Sequence, residues 1–194
     1  MTSLILASTS PRRAELLRQI GVRFVQHAVD VDESAQPGEM AAHTALRLAR
    51  LKAQAAMQQA PEGQAVLAAD TLIGLDGEAL GKPHNPTAAW QMLHRLSGRQ
   101  HEVYTGVALA AHGELRAFLS LSHVSFRPLD DADIRAYIQS GEPLDKAGGY
   151  AIQGMAAAFI TRLEGSYSGV MGLPLFETAE LLRQAGLPIW NTAP

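Results

Sequence analysis

The chain of 194 residues contains no cysteine. Disulfides, zinc–thiolate centres and cysteine nucleophiles are excluded, and the composition fits a reducing cytoplasm. Aromatic residues make up only 6% of the chain and do not interleave with basic ones. Acidic residues outnumber basic ones, 19 to 16, for a net charge of −3. Neither property suits a nucleic-acid-binding surface, so any phosphate chemistry must rest on a local basic cluster. No apolar run approaches the length of a membrane span, and the first residues lack the basic leader and apolar stretch of a signal peptide. Common catalytic signatures are missing too. None of the seven histidines lies in a metal-ligand spacing such as H-E-x-x-H. Neither the G-x-S-x-G elbow nor the G-x-x-x-x-G-K-[ST] phosphate loop occurs. Hydrophobic residues nevertheless reach 47%, enough for a sizeable core. No repeat or long linker divides the chain, so residues 1–194 read as one domain, either as one sizeable body or as two small lobes on a shared sheet.

What is present is an alternation of short apolar runs and helical segments. Strands are expected at Ser3 to Ala7, Val22 to Val29 and Ala65 to Ala69, with Asp70-Thr71 at the end of the last and Leu72 to Leu75 continuing in extended form. Asp76-Gly77 is a hairpin signal that returns through Glu78 to Leu80, and His112-Gly113 joins Val103 to Ala111 with Leu115 to Phe126. Ala157 to Leu163 completes the strands. Helices are expected at Pro11 to Ile20 with Gly21 as the stop, Glu39 to Gln59, Pro86 to Leu96 with Gly98 as the stop, Asp130 to Gln139 and Leu173 to Gln184. Gly141 to Gly154 reads as a Gly-rich polar loop. The pattern is α/β or α+β with a mixed sheet.

Four groups of residues at element boundaries carry chemistry. The first is Ser8-Thr9-Ser10-Pro11-Arg12-Arg13. Proline suits the first helical position, but two arginines in a first turn oppose the helix dipole. Hydroxyls, free N–H groups and two guanidiniums at one point suit a bound anion; the alternative is a capped helix with solvated arginines. The second group is Asp70-Thr71, where a strand-end carboxylate is either catalytic or a turn residue. The third is a pair of lysines. Lys82 lies on a stiff Gly81-Lys82-Pro83 turn, and Lys52 shares a helix side with Ala45, Leu48, Ala49 and Ala56. Lys52 either snorkels to the edge or points into a cleft. The fourth is Glu142 to Gly154, whose paired glycines permit close backbone approach and whose Gln153 offers both donor and acceptor to a base edge; an ordinary surface loop is the other reading. Together these groups suit water attacking a phosphate, with carboxylates for a cation and a proton, and Arg and Lys for phosphate charge.

In its motifs the chain resembles the Maf nucleoside triphosphate pyrophosphatases, whose fold is related to that of the inosine triphosphate pyrophosphatases. The resemblance rests on Ser8-Thr9-Ser10-Pro11-Arg12-Arg13 followed by Glu15-Leu16-Leu17, Ala69-Asp70-Thr71, Gly81-Lys82-Pro83 and Tyr104-Thr105-Gly106-Val107. It continues in Glu142-Pro143-Leu144-Asp145-Lys146-Ala147-Gly148, Tyr150-Ala151-Ile152-Gln153-Gly154, Gly165-Ser166-Tyr167 and Val170-Met171-Gly172-Leu173-Pro174-Leu175. So many motifs in order, over nearly the whole chain, are specific.

The resemblance implies an elongated, highly twisted mixed sheet flanked by helices, with an active-site cleft between two lobes. It implies hydrolysis of a nucleoside triphosphate to the monophosphate and pyrophosphate with Mg²⁺ or Mn²⁺. Asp70 is implied as proton acceptor; Ser8, Ser10, Arg12, Arg13, Lys52 and Lys82 as substrate contacts; and Glu33 with Asp70 as the cation's partners. Arg12, Thr71 and Gln153 are similar to the dTTP/UTP-hydrolysing branch, whereas a sister branch acting on 7-methyl-GTP has Trp, Gln and Glu there. Modified pyrimidine nucleotides such as 5-methyl-UTP and pseudo-UTP fall within the same expectation. A cytoplasmic homodimer, with no membrane or stable nucleic-acid partner, is also implied. A nucleotide-binding regulator of septum formation, without essential catalysis, is the alternative. Gly149 and Gly169 depart from the alanine and asparagine expected there, and both read as loop positions.

Overall fold

The computed structural model describes residues 4–190. Ser3, expected to open the first strand, lies outside the described residues, as do the other ends of the 1–194 span. Seven strands form one mixed sheet, in the order β2-β1-β3-β5-β6-β7 with β4 beside β3. Buried β1 (Leu4–Leu6) runs parallel to β2 (Phe24–Gln26) and to β3 (Ala65–Leu75). β2 is shorter than Val22 to Val29; among the described residues it pairs with β1 alone, over Phe24–Gln26. The remaining ladders are antiparallel: β4 (Glu78–Leu80), β5 (Gln100–Ala111), β6 (Glu114–Phe126) and β7 (Ile160–Glu164). Both hairpin signals hold. Asp76-Gly77 has φ of 54° and 81°, and His112-Gly113 has 53° and 79°, the paired left-handed conformations of a tight hairpin turn.

β3 does not end at Asp70. Its ladder with β5 runs unbroken from Val66 to Gly74, so the backbone stays extended through Asp70 and Thr71. The opposite edge of β3 is divided. β1 covers Ala65–Leu67 and β4 covers Ile73–Leu75, leaving residues 68–72 without a strand partner on that side. Because β1 is parallel and β4 antiparallel to β3, both run toward this gap and end at it. The segments after them, Ser8–Arg13 and Gly81–Lys82, therefore converge on the uncovered middle of β3.

The helices cover both faces. α2 (Ala41–Gln59) lies on one face, burying Ala45, Leu48, Ala49, Ala53 and Ala56. The other face holds two apolar clusters. Leu6, Leu17, Leu67, Leu109, Leu173 and Leu182 unite α1 (Pro11–Gln19) with α6 (Leu175–Gln184). Ile73, Leu93, Val124, Phe126, Ile134 and Tyr137 unite α3 (Pro86–Leu96) with α4 (Asp131–Gln139). Thr71 and Thr105 form a polar seam between them. Among the described residues, no helix is long and apolar enough to cross a membrane.

Three expectations need correction. The last helix is a single one but starts at Leu175, after Pro174, rather than at Leu173, and a short α5 (Tyr167–Met171) that the sequence pattern did not predict precedes it across Gly172. Met155–Phe159 forms a 3₁₀ turn, so β7 starts at Ile160 rather than Ala157. The Gly141–Gly154 stretch is likewise organised by 3₁₀ turns at Glu142–Asp145 and Ala147–Gly149. Gly149 lies in the second of these. Gly169 is buried inside α5 rather than in a loop, and a Cβ there would lie 3.0 Å from Ser166 Cβ and 3.2 Å from Ser120 Oγ.

Candidate active site

Alternation along β3 sends neighbouring side chains to opposite faces. Asp70 shares a face with Val66 and Ala68, toward α2, whereas Thr71 faces the polar seam. Gly106 on β5 pairs directly with Asp70. A Cβ at Gly106 would sit 2.7 Å from the Ala45 carbonyl carbon and 2.8 Å from Leu46 Cα, so the missing side chain lets α2 lie close on the sheet beside Asp70. Two turns along α2, Lys52 turns inward instead of snorkelling. Its Nζ donates to Asp70 Oδ1 at 2.6 Å and lies 2.6 Å from Glu33 Oε1. The Lys52 and Asp70 side chains are each 11% exposed and Glu33 is 58% exposed. The hydrogen bond from Lys52 holds the Glu33 carboxyl below its ordinary range, against partial desolvation.

Across the gap, Ser10 caps α1 by accepting from the Arg13 N–H at 3.5 Å. Arg13 folds back over its own N-terminus. Its Nε donates to Gly172 O at 2.9 Å, Nη1 to Ser8 Oγ at 3.3 Å and Nη2 to Thr71 Oγ1 at 3.4 Å. Thr71 meets Thr105 Oγ1 at 3.0 Å, and Thr105 donates to Gly169 O at 2.8 Å. Burial lowers the Arg13 guanidinium from its usual value, with Asp70 opposing and Arg12 adding to the shift; a guanidinium stays charged under such conditions. The arginine in an unfavourable first turn is thus held by three acceptors and faces a carboxylate.

Two adjoining hollows share this seam. The larger, about 810 Å³, is bordered by Ser8, Glu33, Lys52, Asp70 and Lys82. The smaller, about 130 Å³, is bordered by Tyr150, Ile152, Gln153 and Met171. Ser10, Arg12, Arg13, Thr71 and Lys82 border both. The residues implied as catalytic, substrate or cation contacts all border one or other of these hollows, whereas Glu142 and the paired glycines Gly148 and Gly149 border neither. Lys82 and Gln153 are exposed at its rim. Thr105, Gly106 and Gly172 belong to this framework but had no assigned role; all three stood within recognised motifs, yet nothing local marks a residue that acts by holding another.

Asp70 Oδ1 and Glu33 Oε1 are both engaged by the Lys52 ammonium at 2.6 Å. A hard divalent cation would therefore take the second oxygen of each carboxylate rather than the place of the ammonium. No group of three His, Cys, Asp or Glu capable of holding a metal occurs among the described residues. Phosphate oxygens and water would have to supply the remaining ligands, as is common for Mg²⁺.

Fold and site together define an α/β protein with a cationic, carboxylate-bearing cleft at a divided sheet edge. The chain belongs to the Maf family: residues 3–185 match the family described as Maf-like protein. A Methylobacillus flagellatus protein named dTTP/UTP pyrophosphatase is 52% identical over 193 residues, covering 99% of this chain and 97% of its own. Proteins of the same name from Aromatoleum aromaticum and Escherichia coli O157:H7 are each 50% identical, covering 96% and 94% of this chain and 97% and 92% of their own. Among solved structures, a nucleoside-triphosphatase / dITP/XTP pyrophosphatase from Mycobacterium abscessus matches with a TM-score of 0.41 and 19% identity, over 64% of this chain and 73% of that one.

Proposed function

We propose that this chain is a nucleoside triphosphate pyrophosphatase acting on dTTP and UTP, releasing the monophosphate and pyrophosphate. The observation that carries the reading is Asp70. It is held 2.6 Å from Lys52 in the uncovered middle of β3 and borders the same hollow as Ser8, Arg12, Arg13 and Lys82. A protein that only binds nucleotide needs the cations but not an oriented carboxylate among them. The relatives' names support the same reaction and the same pyrimidine substrates.

In this reading Asp70 accepts a proton from water as the water oxygen attacks the α-phosphorus. The bond from that phosphorus to the bridging oxygen breaks, and pyrophosphate leaves. Lys52 fixes the orientation of the Asp70 carboxylate. Arg12, Arg13, Lys82 and the Ser8 and Ser10 hydroxyls grip the triphosphate and balance charge as it shifts to the leaving group. Asp70 and Glu33 would hold a divalent cation, which supplies phosphate neutralisation and water polarisation when bound. Gln153, with Thr71 and Arg12, reads the donor–acceptor edge of uracil or thymine. One methyl group separates these bases by at most ~1–3 kcal/mol, so the pocket accepts both, and modified uracils with them. Action on the cytoplasmic nucleotide pool is part of this reading. Assembly as a homodimer belongs to the same proposal and is read by light scattering.

Purified protein with Mg²⁺ or Mn²⁺ is expected to release pyrophosphate from UTP and dTTP. Asp70→Asn, with the fold retained by circular dichroism, is expected to lower kcat by roughly 10²–10⁴-fold, the usual contribution of a proton-transfer group. Unchanged turnover in that variant would overturn the assignment of Asp70.

A further inference from the structure

The loop that carries Gln153 is closed by a single carboxylate. Glu142 Oε1 accepts from the Tyr137 hydroxyl of α4 at 2.8 Å, and Oε2 accepts from the Met155 N–H at 3.0 Å. The first bond ties Glu142 to the helix before the loop. The second ties it to the residue where the loop ends. The Glu142 backbone adds two more ties: its carbonyl accepts from Lys146 Nζ at 2.7 Å, and its N–H donates to Ser140 Oγ at 3.2 Å. Gly154 lies so close against the carboxylate that a Cβ would collide with both of its oxygens. The middle of the loop is anchored separately. The buried Tyr150 hydroxyl meets His101 Nε2 of β5 at 2.8 Å, and the Gly148 N–H donates to Gly81 O beside Lys82 at 3.0 Å.

Between the two ends joined by Glu142, the chain supplies Lys146, Ala147, Tyr150, Ala151, Ile152 and Gln153 to the smaller hollow. Gln153 itself is exposed and lies two residues before Met155. Its orientation is therefore set by the backbone beneath it, and that backbone is held by the Glu142 carboxylate. We propose that Glu142 is a positioning residue that clasps the 142–155 loop into a preformed pocket and so sets pyrimidine-base selectivity without touching the nucleotide. This inference rests on the pyrophosphatase reading for its kinetic consequence, but the clasp itself can be observed without catalysis.

Glu142→Ala removes both carboxylate bonds. Its amides from Lys146 to Met155 are expected to exchange with deuterium at least tenfold faster than in the wild type, with the rest of the sheet unchanged. KM for UTP and dTTP is expected to rise about tenfold with kcat within about twofold, and preference over CTP and ATP to shrink by a similar factor. Glu142→Gln keeps one acceptor for the Met155 N–H and an amide to meet the Tyr137 hydroxyl, and it is expected to restore near-wild-type selectivity. Gly154→Ala forces the carboxylate aside and is expected to mimic Glu142→Ala, whereas adding it to Glu142→Ala should cost little more, because nothing is left to collide with. Unaltered exchange in Glu142→Ala and in Gly154→Ala, additive losses in the double variant, or a fall in kcat with base selectivity intact would each overturn the proposal. If the wild-type protein released no pyrophosphate from any nucleoside triphosphate, the pyrophosphatase reading would fail while the exchange experiment still judged the clasp.

Discussion

Lys52 is the residue on which the cleft's electrostatics turn. It is the only protein cation within 4 Å of either Glu33 or Asp70 among the described residues' ion pairs, and it draws two carboxylates together that would otherwise repel. The Glu33 carboxyl is held below its ordinary value mainly by the Lys52 hydrogen bond. A lowered carboxyl value means that the pair is fully formed above the unfolded-state value and is lost as pH falls through the folded one. Lys52→Met removes the cause, so the Glu33 midpoint is expected to move upward, as read by carboxyl-carbon NMR titration. No movement would show that the contact does not persist in solution. The sequence left Lys52 open between a solvated edge and a cleft, because helical spacing gives its side of α2 but not the depth of the sheet beneath it. Arg13 was legible as an anion-binding group from its place at a helix start; its three acceptors, drawn from Ser8, Thr71 and Gly172, were not, because two of them arrive from distant segments.

At the scale of elements, the site depends on how closely α2 lies on β5. That approach is set at Gly106, where the helix backbone occupies the place of a side chain. Gly106→Ala is expected to push α2 outward, to cost about 1–3 kcal/mol of stability by overpacking, and to lower kcat/KM by separating Lys52 from Asp70. Denaturant melts and steady-state assays on one preparation test both parts; a stable, fully active variant would show that the helix adjusts without moving Lys52. Most elements were readable. Pro11 and Pro86 open helices after the capping side chains of Ser10 and Asn85, and Asp130 forms a capping box with Asp133. The two hairpins followed from Asp76-Gly77 and His112-Gly113. What periodicity misplaced was the end of β3. A carboxylate after an apolar run looks like a strand end, yet pairing with β5 carries the strand through it.

At the scale of the whole molecule, His101 couples stability to pH. It is 1% exposed on β5, with its ring edge-on to Phe126 and Tyr150. Burial lowers its value from the ordinary 6.5 to about 4, so folding favours the neutral ring. The unfolded chain therefore binds the proton first. Stability is constant above about pH 6.5 and falls as pH drops toward 4, by up to about 3 kcal/mol from this group. Urea melts across that range are expected to show the fall, and His101→Gln to flatten it; an unchanged slope in the variant would assign the loss elsewhere. The sequence by itself determined the α/β class, the hairpins, the capped starts of α1, α3 and α4 and the identity of the chemical groups. These follow from local rules: turn chemistry, capping, periodicity and the charge each side chain carries. Only the tertiary structure decided that β1 and β4 cover opposite ends of one edge of β3 and leave its middle bare. It also decided that Lys52 reaches Asp70, and that Glu142 closes the loop beneath Gln153. Those outcomes rest on contacts between residues far apart in the chain, where no local pattern records which segment will arrive opposite which.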